Sequence, residues 1–575
     1  MKVVVVGGVA GGMSAAARLR RLDESAEIVV FERDEYVSFA NCGLPYHIGG
    51  DIEKRDALLL QTPKSLRESL ALDVHTAHEV LAIDRERHVV RVRDRKTGRE
   101  FEEPYDKLVL ATGASPIRPP LPGIDHPRIK TLRNIPDMDA IIEVLDDGVA
   151  SAVVVGGGYI GIEMVEALSH RGIQVTLVEA VDQVMTVLDR EMARHVEEHL
   201  VGHGVRVILS ARAQAFTDVD GAVAVDLGEE TLIADLVIMA VGVKPESSLA
   251  RAAGLELSER GAVIVNQNMR TSDPDVYAVG DSVQVTDTVT GEAVVIPLAG
   301  PANRQGRIAA DALSGRNSSY SSTQGTGIVK VFDLTAAMTG ASERTLQRIG
   351  RPYAKVHVHP SGHASYYPGT HAMHVKVMFD PTDGELLGAQ AIGVDGVDKR
   401  IDVLAVAIRA GMTIEDLENL ELAYAPPYGS AKDPVNMAGF VGGNLLRGDV
   451  ALWYSEEWPN LPDDAVLLDV RTPKEHAAWS IPGSILIPHK DLRARLDEVP
   501  KGAPVFAYCR SGFRSYLAQR ILVQNGWTDA KTLAGGELTF RAVHPDGTSG
   551  MLHYPVVTYA ENELADLFFD VSANI

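Results

Sequence analysis

The sequence predicts an α/β protein, because a buried strand, a glycine-rich turn and a helix follow one another at two places along the chain. The first unit begins with VVVVGGVAGG at residues 3–12, and the second begins with VVVGGGYIGI at residues 153–162. A third strand–loop–helix pattern, VFAYCRSGFRSYLAQRIL, follows at residues 505–522. Because strands that alternate with helices form parallel sheets, we expect several such sheets in series.

The first glycine-rich turn has the spacing of a dinucleotide-binding loop. Gly7 and Gly12 hold the outer positions of GxGxxG, whereas Val9 replaces the middle glycine. Glycines allow the tight turn and let a helix N-terminus approach a pyrophosphate. The next strand ends at Glu32, where an acid is placed to bind ribose hydroxyls. The first unit is therefore predicted to bind a dinucleotide.

The second unit carries the complete motif. Gly156, Gly158 and Gly161 form GxGxxG between strand and helix, and the following strand ends at Glu179. An acid at that place repels a 2′-phosphate and accepts hydrogen bonds from a free ribose diol, which favours NADH over NADPH. Two such units predict two dinucleotides, one tightly held and one exchanging.

The composition excludes several classes of function. A net charge of −23 argues against nucleic acid as a general partner. No apolar run approaches the ~20 residues of a membrane span. Cys42 and Cys509 are the only two cysteines, so a disulfide framework is excluded and a cytoplasmic, reducing location is expected. No motif predicts a metal site.

Two further motifs occur, one between the two glycine-rich units and one after the second unit. ATG stands at residues 111–113 and YAVGD at residues 277–281, each after a strand pattern. With the two glycine-rich units, this order resembles the pyridine nucleotide-disulfide oxidoreductase superfamily. The resemblance implies FAD in the first unit, NADH in the second, and Asp281 at the ribityl chain of the flavin. The predicted cofactor-binding residues are Gly7, Ala10, Gly11, Gly12, Glu32, Arg33, Asn41, Thr112, Gly113, Gly280, Asp281, Ala299, Gly156, Gly158, Tyr159, Ile160, Gly161, Glu163, Glu179 and Gly242.

Cys42 lies in SFANCGLPY at residues 38–46, where glycine, proline and asparagine predict a loop or a helix entrance. His47 occupies the place of the second cysteine of C-x4-C reductases, so a sulfenic acid, mixed disulfide or persulfide must be the oxidised form. The chain resembles two single-cysteine groups. NADH peroxidases and oxidases carry a histidine where this chain has Ala10, whereas SFANC matches coenzyme A disulfide reductases.

The first helix is a candidate coenzyme A contact. Ser14, Arg18 and Arg21 share one of its faces, and two arginines there form a plausible pocket for the adenosine phosphates. The resemblance to coenzyme A disulfide reductases adds Ser38 and Asn41 as contacts.

The same family resemblance covers a third domain, with YYPG at residues 366–369 and AYAPPYGSAKDPVN at residues 423–436. In that family, tyrosines of one subunit reach the cysteine of the other. The resemblance therefore implies a homodimer in which Tyr367 and Tyr428 are catalytic and Lys432 lies beside the substrate.

The C-terminal region resembles a rhodanese domain, through DVR at residues 469–471 and LAGGELTFR at residues 533–541. Cys509 ends a strand, and the backbone N–H groups that follow it are placed to form an anion-binding nest. Arg510 and Arg514 add positive charge. The C-x4-R spacing from Cys509 to Arg514 gives a smaller loop than the C-x5-R of tyrosine phosphatases, which suits a persulfide sulfur.

The resulting fold is α/β, with two Rossmann-like dinucleotide-binding domains, an α+β dimerisation domain and a C-terminal rhodanese α/β domain. The predicted boundaries are an FAD-binding domain at 1–117 and 245–322, an NADH-binding domain at 118–244, a dimerisation domain at 323–447, a linker at 448–460 and a rhodanese domain at 461–560.

The main hypothesis is an FAD-dependent reductase of small sulfur compounds. NADH reduces sulfane sulfur or coenzyme A disulfides through Cys42, and Cys509 relays sulfur. Two alternatives stay open: a coenzyme A disulfide reductase with an accessory sulfurtransferase domain, and a redox-sensing sulfur-trafficking protein. Persulfide, polysulfide, elemental sulfur and coenzyme A disulfide all remain candidate acceptors, and coenzyme A is either a substrate or a bound cofactor.

Overall fold

The computed structural model describes residues 1–544, which form two compact units. The first unit comprises residues 1–182 and 204–325, and the second comprises residues 183–203 and the described residues from 326 onwards. Residues 545–560 of the predicted rhodanese domain lie outside the described part of the chain. The predicted boundaries between the individual domains stay predictions.

The first unit begins with a five-stranded parallel sheet. Val3 and Val5 pack into one buried cluster, and Val4 and Val6 pack into another. Both faces of the sheet are therefore covered, which explains why a central strand is a continuous run of valines. In spatial order the strands are Val276–Ala278, Lys107–Leu110, Lys2–Val6, Glu27–Phe31 and Asp73–His75.

A second five-stranded parallel sheet repeats this design. In spatial order its strands are Arg206–Ile208, Gln174–Val178, Ser151–Val155, Leu236–Met239 and Ile129–Lys130. Smaller sheets complete the first unit: His78–Asp84, Val89–Asp94 and Glu100–Pro104; Ala215–Val219, Ala222–Asp226 and Thr231–Ala234; Ala114–Pro116 and Val243–Pro245; Val263–Ile264, Val283–Thr286 and Ala293–Val294.

The helices of the first unit connect these strands. The α-helices are Ala10–Leu22, Leu44–Gly49, Pro63–Leu70, Ile135–Asp146, Tyr159–His170, Ser248–Ala252 and Ala299–Leu313, and the 3-10 helices are Asn41–Gly43 and Arg55–Leu58. Each glycine-rich loop leads directly into a helix, at Ala10 and at Tyr159. Both predicted strand–turn–helix units are therefore present.

The second unit contains an antiparallel sheet and a parallel sheet. The antiparallel sheet has the order Gly327–Val331, Leu334–Gly340, Leu386–Gly393, Met373–Phe379 and Ala354–Val358. The parallel sheet has the order Leu452–Trp453, Ala530–Leu533, Val505–Tyr508, Val466–Asp469 and Ile485–Leu486. Alternate residues of Val505–Tyr508 enter two different cores, so this sheet is also covered on both faces.

The helices of the second unit include one from the middle of the chain, Arg190–Gly202. The other α-helices are Glu343–Ile349, Val397–Arg409, Pro434–Leu446, Pro473–Ala478, Phe513–Gln524 and Gly536–Val543, and the 3-10 helices are Asp416–Asn419, Ser455–Glu457, Leu492–Ala494 and Leu496–Glu498. The predicted α/β fold class is confirmed. In residues 1–544 no helix combines the length and the apolar character that crossing a membrane requires.

Candidate active site

The first glycine-rich loop is held by the acid that the sequence singled out. Glu32 accepts hydrogen bonds from the backbone N–H groups of Gly8 at 2.8 Å and Asp34 at 2.9 Å. Gly7 has a φ of 106°, and a Cβ at Gly12 would lie 2.0 Å from the Gly7 carbonyl oxygen. Only glycine fits at these two places, so the loop closes tightly on the start of the helix.

The second loop is built in the same way. Glu179 accepts hydrogen bonds from the backbone N–H groups of Gly157 at 2.6 Å and Val181 at 3.1 Å. A Cβ at Gly161 would lie 1.9 Å from the Gly156 carbonyl oxygen, whereas a Cβ at Gly158 would meet no protein atom within 4 Å. The open side at Gly158 is where a pyrophosphate approaches such a loop, so the described residues fit a dinucleotide.

The segment that carries Cys42 is attached to the first loop. Ser38 has a φ of 50° and donates its backbone N–H to the carbonyl of Gly8 at 2.8 Å. Cys42 lies in the 3-10 helix Asn41–Gly43, directly before the helix Leu44–Gly49. The prediction of a helix entrance is confirmed, and the segment before Cys42 is tied to the predicted FAD-binding loop through Ser38.

The surroundings of the Cys42 thiol, including two carboxylates, raise its pKa. Partial burial, followed by the negative charges of Glu163 and Asp281, raises the pKa of Cys42. Burial and the nearby Glu166 raise the pKa of Glu163 to about 7, and burial raises the pKa of Asp281 to about 6. A carboxyl group with a pKa near neutrality can hold or release a proton at physiological pH.

Two groups near these residues were not predicted from the sequence. Burial and the charge of Glu163 raise the pKa of Tyr46 to about 12, so this phenol stays protonated near Cys42. Arg133 donates to the carbonyl of Thr112 at 3.1 Å, and burial followed by the charge of Arg33 lowers its pKa. Tyr46 ends the SFANCGLPY segment but was given no role there, whereas Arg133 belongs to no motif and only the folded chain brings it to the site.

The predicted coenzyme A contacts on the first helix already have partners within the first unit. The Ser14 hydroxyl donates to Asn303 at 2.5 Å, and Arg18 forms an ion pair with Asp311 at 2.8 Å. Arg21 is exposed. Part of the predicted positive charge is therefore balanced by Asp311, and the role of this helix face in binding coenzyme A stays a prediction.

The second cysteine lies in the second unit, in a hydrogen-bonded loop. Cys509 is 1% exposed and follows the strand Val505–Tyr508. Its Sγ accepts hydrogen bonds from the Gly512 N–H at 3.2 Å and the Ser515 hydroxyl at 3.4 Å. Thr532 in turn donates to Ser515 at 2.7 Å. The Gly512 N–H fits the predicted nest, whereas Ser515 was not predicted.

Arg514 has a carboxylate partner beside this loop. Its guanidinium forms two hydrogen bonds with Glu475, at 2.8 and 2.6 Å. Burial by itself would raise the pKa of Glu475, but this pairing lowers that pKa to about 2. Arg514 is therefore held in position as part of an ion pair, and direct binding of a persulfide by its guanidinium stays a prediction.

The residues predicted in the third domain lie on the surface of the second unit. Tyr367 is 42% exposed and Tyr428 is 73% exposed. Lys432 is exposed as well. Tyr366 and Tyr424 share a hydrogen bond of 2.6 Å between their hydroxyl groups. Large exposed aromatic side chains of this kind are typical of surfaces that contact another protein.

Comparisons with known proteins agree with this arrangement. The family model for pyridine nucleotide-disulphide oxidoreductases matches residues 1–306, that for their dimerisation domain matches residues 326–434, and that for rhodanese-like domains matches residues 456–541. The coenzyme A disulfide reductase of Staphylococcus haemolyticus is 38% identical over 446 residues, which are 77% of this chain and 100% of the relative.

Two solved structures resemble nearly the whole chain. The reduced Bacillus anthracis CoADR-RHD has a TM-score of 0.93 and 46% identity, covering 95% of this chain and 98% of that one. The NAD-dependent persulfide reductase of A. fulgidus has a TM-score of 0.89 and 39% identity, covering 94% of this chain and 100% of that one. The resemblances that the sequence motifs predicted are confirmed.

Proposed function

Because the chain belongs to the pyridine nucleotide-disulphide oxidoreductase family, we propose that it uses NADH to reduce coenzyme A persulfide, with Cys42 as the redox thiol and Cys509 as the sulfur carrier. As the family and the two glycine-rich loops indicate, it is an FAD- and NAD(H)-dependent enzyme. The observation that carries the proposal is the pair of separate thiols, one in each unit, since each lies in a distinct chemical environment.

The first proposed step takes place at Cys509. Its thiolate attacks the terminal sulfur of a persulfide or polysulfide, a Cys509 persulfide forms, and the donor leaves as a thiolate. The Gly512 N–H points at Sγ and stabilises negative charge there, and the Ser515 hydroxyl, which also contacts the Gly512 carbonyl at 3.0 Å, is a second donor within 3.4 Å of Sγ. Coenzyme A thiolate then takes the outer sulfur and becomes coenzyme A persulfide, while Cys509 returns to its thiolate.

The second proposed step takes place at Cys42. Its thiolate attacks the inner sulfur of coenzyme A persulfide, so hydrosulfide leaves and a Cys42–coenzyme A disulfide forms. When bound, NADH and FAD supply the two electrons that split this disulfide into two thiolates. Glu163, whose pKa is raised to about 7 and whose charge raises the pKa of Cys42, is proposed to exchange protons during this step. Overall, coenzyme A persulfide, NADH and one proton give coenzyme A, hydrogen sulfide and NAD⁺.

We infer a homodimer from the match to the dimerisation domain. The exposed Tyr428 is proposed to reach the cysteine of the partner subunit, where its hydroxyl would protonate the departing coenzyme A thiolate. Tyr367 is the second candidate for this role. A cytoplasmic location is proposed because both cysteines must return to the thiol form in each cycle.

The deciding experiment measures anaerobic NADH oxidation and sulfide release with coenzyme A persulfide, polysulfide and coenzyme A disulfide as separate acceptors. The proposal expects one sulfide for each NADH with the persulfide. Fast reduction of coenzyme A disulfide alone would instead favour a disulfide reductase with an accessory sulfurtransferase domain. Slow reduction of all three acceptors would favour a redox-sensing protein and would overturn the proposal.

A further inference from the structure

Two histidines and one aspartate outside the proposed reaction meet in the second unit. His199 lies in the helix Arg190–Gly202 and His203 caps its C-terminus, four residues later, so both side chains lie on one face. Asp333 lies in the two-residue turn between the strands Gly327–Val331 and Leu334–Gly340. Its Oδ1 is 2.8 Å from His199 Nε2 and 3.5 Å from His203 Nε2.

The Nδ1 atom of His203 has a hydrogen-bond partner, and this arrangement suits metal binding through Nε2. His203 Nδ1 lies 2.9 Å from the carbonyl oxygen of His199. Because a carbonyl oxygen only accepts hydrogen bonds, Nδ1 carries the proton in the neutral ring, and Nε2 presents its lone pair toward Asp333. Histidines that bind metals use their other ring nitrogen in this manner.

The turn that carries Asp333 is held against the helix end. Phe332 has a φ of 56°, a conformation that a bulky residue rarely adopts. Its ring stacks on the imidazole of His203, with centroids 4.1 Å apart and planes 3° from parallel. The helix C-terminus adds partial negative charge to this place, which favours a cation.

We propose that His199, His203 and Asp333 form a binding site for a divalent transition-metal cation, with Zn²⁺ as the preferred ion. Two imidazoles and one carboxylate are common zinc ligands, and a water molecule would complete a tetrahedron. Zinc bonds of about 2.0–2.2 Å separate neighbouring ligand atoms by about 3.3–3.6 Å. The His203–Asp333 distance of 3.5 Å lies in that range, and the three ligand atoms lie within 4.8 Å of one another.

Only a small movement would complete the site. The His199–Asp333 contact of 2.8 Å must lengthen, and the Asp333 side chain, which is 66% exposed, can rotate to allow this. The bound ion would join the end of the helix Arg190–Gly202 to the turn of the antiparallel sheet. The proposed role is structural and is independent of the proposed reduction of sulfur. The sequence analysis predicted no metal site, and the test below decides between that expectation and this proposal.

The test uses Co²⁺ as a spectroscopic probe on the full-length, FAD-loaded protein. Wild type is compared with His203→Gln and Asp333→Asn, and with His126→Gln as a matched control. His126 forms a lone histidine–aspartate pair with Asp218 at 2.9 Å, so it offers the same pairing without a second imidazole. Thiolate coordination gives intense near-ultraviolet bands, which distinguish binding at the cysteines from binding at a site of imidazole and carboxylate ligands.

Wild type and His126→Gln should bind one Co²⁺ with the weak visible bands of imidazole and carboxylate ligands. Both site variants should bind it at least about tenfold more weakly. Zn²⁺ should raise the melting temperature of wild type more than that of Asp333→Asn, because it binds the folded chain. Equal Co²⁺ affinity in wild type and His203→Gln, or purely thiolate bands in wild type, would overturn the proposal.

Discussion

The two cysteines have different hydrogen-bonding and charged neighbours. Cys42, in the first unit, reaches the surface of the described chain, but neighbouring atoms partly shield its thiol, and this shielding, followed by the charges of Glu163 and Asp281, raises its pKa. Cys509, in the second unit, is buried, and its sulfur accepts hydrogen bonds from the Gly512 N–H and the Ser515 hydroxyl. Hydrogen-bond donors face the sulfur at Cys509, whereas partial burial and carboxylates disfavour the thiolate at Cys42.

This difference suggests a division of labour. A carrier of sulfane sulfur must hold a negatively charged terminal sulfur in every cycle, and donors aimed at Sγ serve that need. A redox thiol spends part of each cycle as a disulfide, and a raised pKa makes it a better nucleophile once ionised and a poorer leaving group. Four substitutions test this difference between the two cysteines.

Cys42→Ser should have the largest effect. We expect turnover with every sulfur acceptor to fall at least about 10³-fold, because the nucleophile is lost. Reduction of the flavin by NADH should stay at the wild-type rate, since hydride transfer needs only the two cofactors. Stopped-flow absorbance and sulfide release measure the two steps separately. Sulfide release close to the wild-type rate would contradict the assignment of Cys42.

Cys509→Ser should lower the activity with some acceptors and leave the activity with others unchanged. Activity with polysulfide should fall more than about tenfold, because a carrier attached to the same chain acts at high effective concentration. Activity with coenzyme A persulfide should be retained. Sulfide release for each NADH is measured with both acceptors, and coenzyme A disulfide serves as a third. Equal losses on all three would mean that Cys509 acts through structure, and no loss would make the C-terminal domain an accessory.

Ser515→Ala should weaken sulfur transfer by about tenfold, because a hydrogen bond to a charged group contributes about 1.5–3 kcal/mol. The measurement is transfer of sulfane sulfur to an added thiol, with turnover of coenzyme A disulfide as the internal reference for the flavin site. Ser511→Ala, in the same loop, is the matched control and should behave as wild type. Equal rates in Ser511→Ala and Ser515→Ala would remove the argument for donors at Cys509.

Glu163→Gln should give the smallest effect. Removing this carboxylate should lower the pKa of Cys42, so the midpoint of alkylation against pH moves to lower pH. Because the pKa of Glu163 is about 7, Glu163 is fully charged at the higher pH at which Cys42 titrates. In that pH range, alkylation of Cys42 should be a few-fold faster in Glu163→Gln than in the protein with Glu163. The profile is recorded with iodoacetamide in a Cys509→Ser background. Glu53→Gln, an exposed carboxylate near Cys42 in sequence, should leave the midpoint unchanged.

Features that depend on neighbouring residues could be predicted from the sequence. Each glycine-rich loop is one short segment in which a strand, a turn and a helix follow directly, so the spacing of the glycines alone implies the close approach seen at Gly12 and Gly161. The helix entrance at Cys42 and the nest after Cys509 are local in the same sense. The hydrogen bonds of Glu32 and Glu179 join consecutive strands, which the parallel-sheet pattern already places side by side.

Features that join distant segments were decided only by the tertiary structure. Glu163 and Asp281 act on Cys42 from other parts of the first unit, and Arg514 pairs with Glu475 from an earlier helix. Asp333 meets His203 only because a hairpin turn packs on a helix end. The physical reason is that spacing along the chain determines backbone geometry within one strand–turn–helix unit, whereas the charge felt by a thiol depends on which side chains the packing brings within a few ångström.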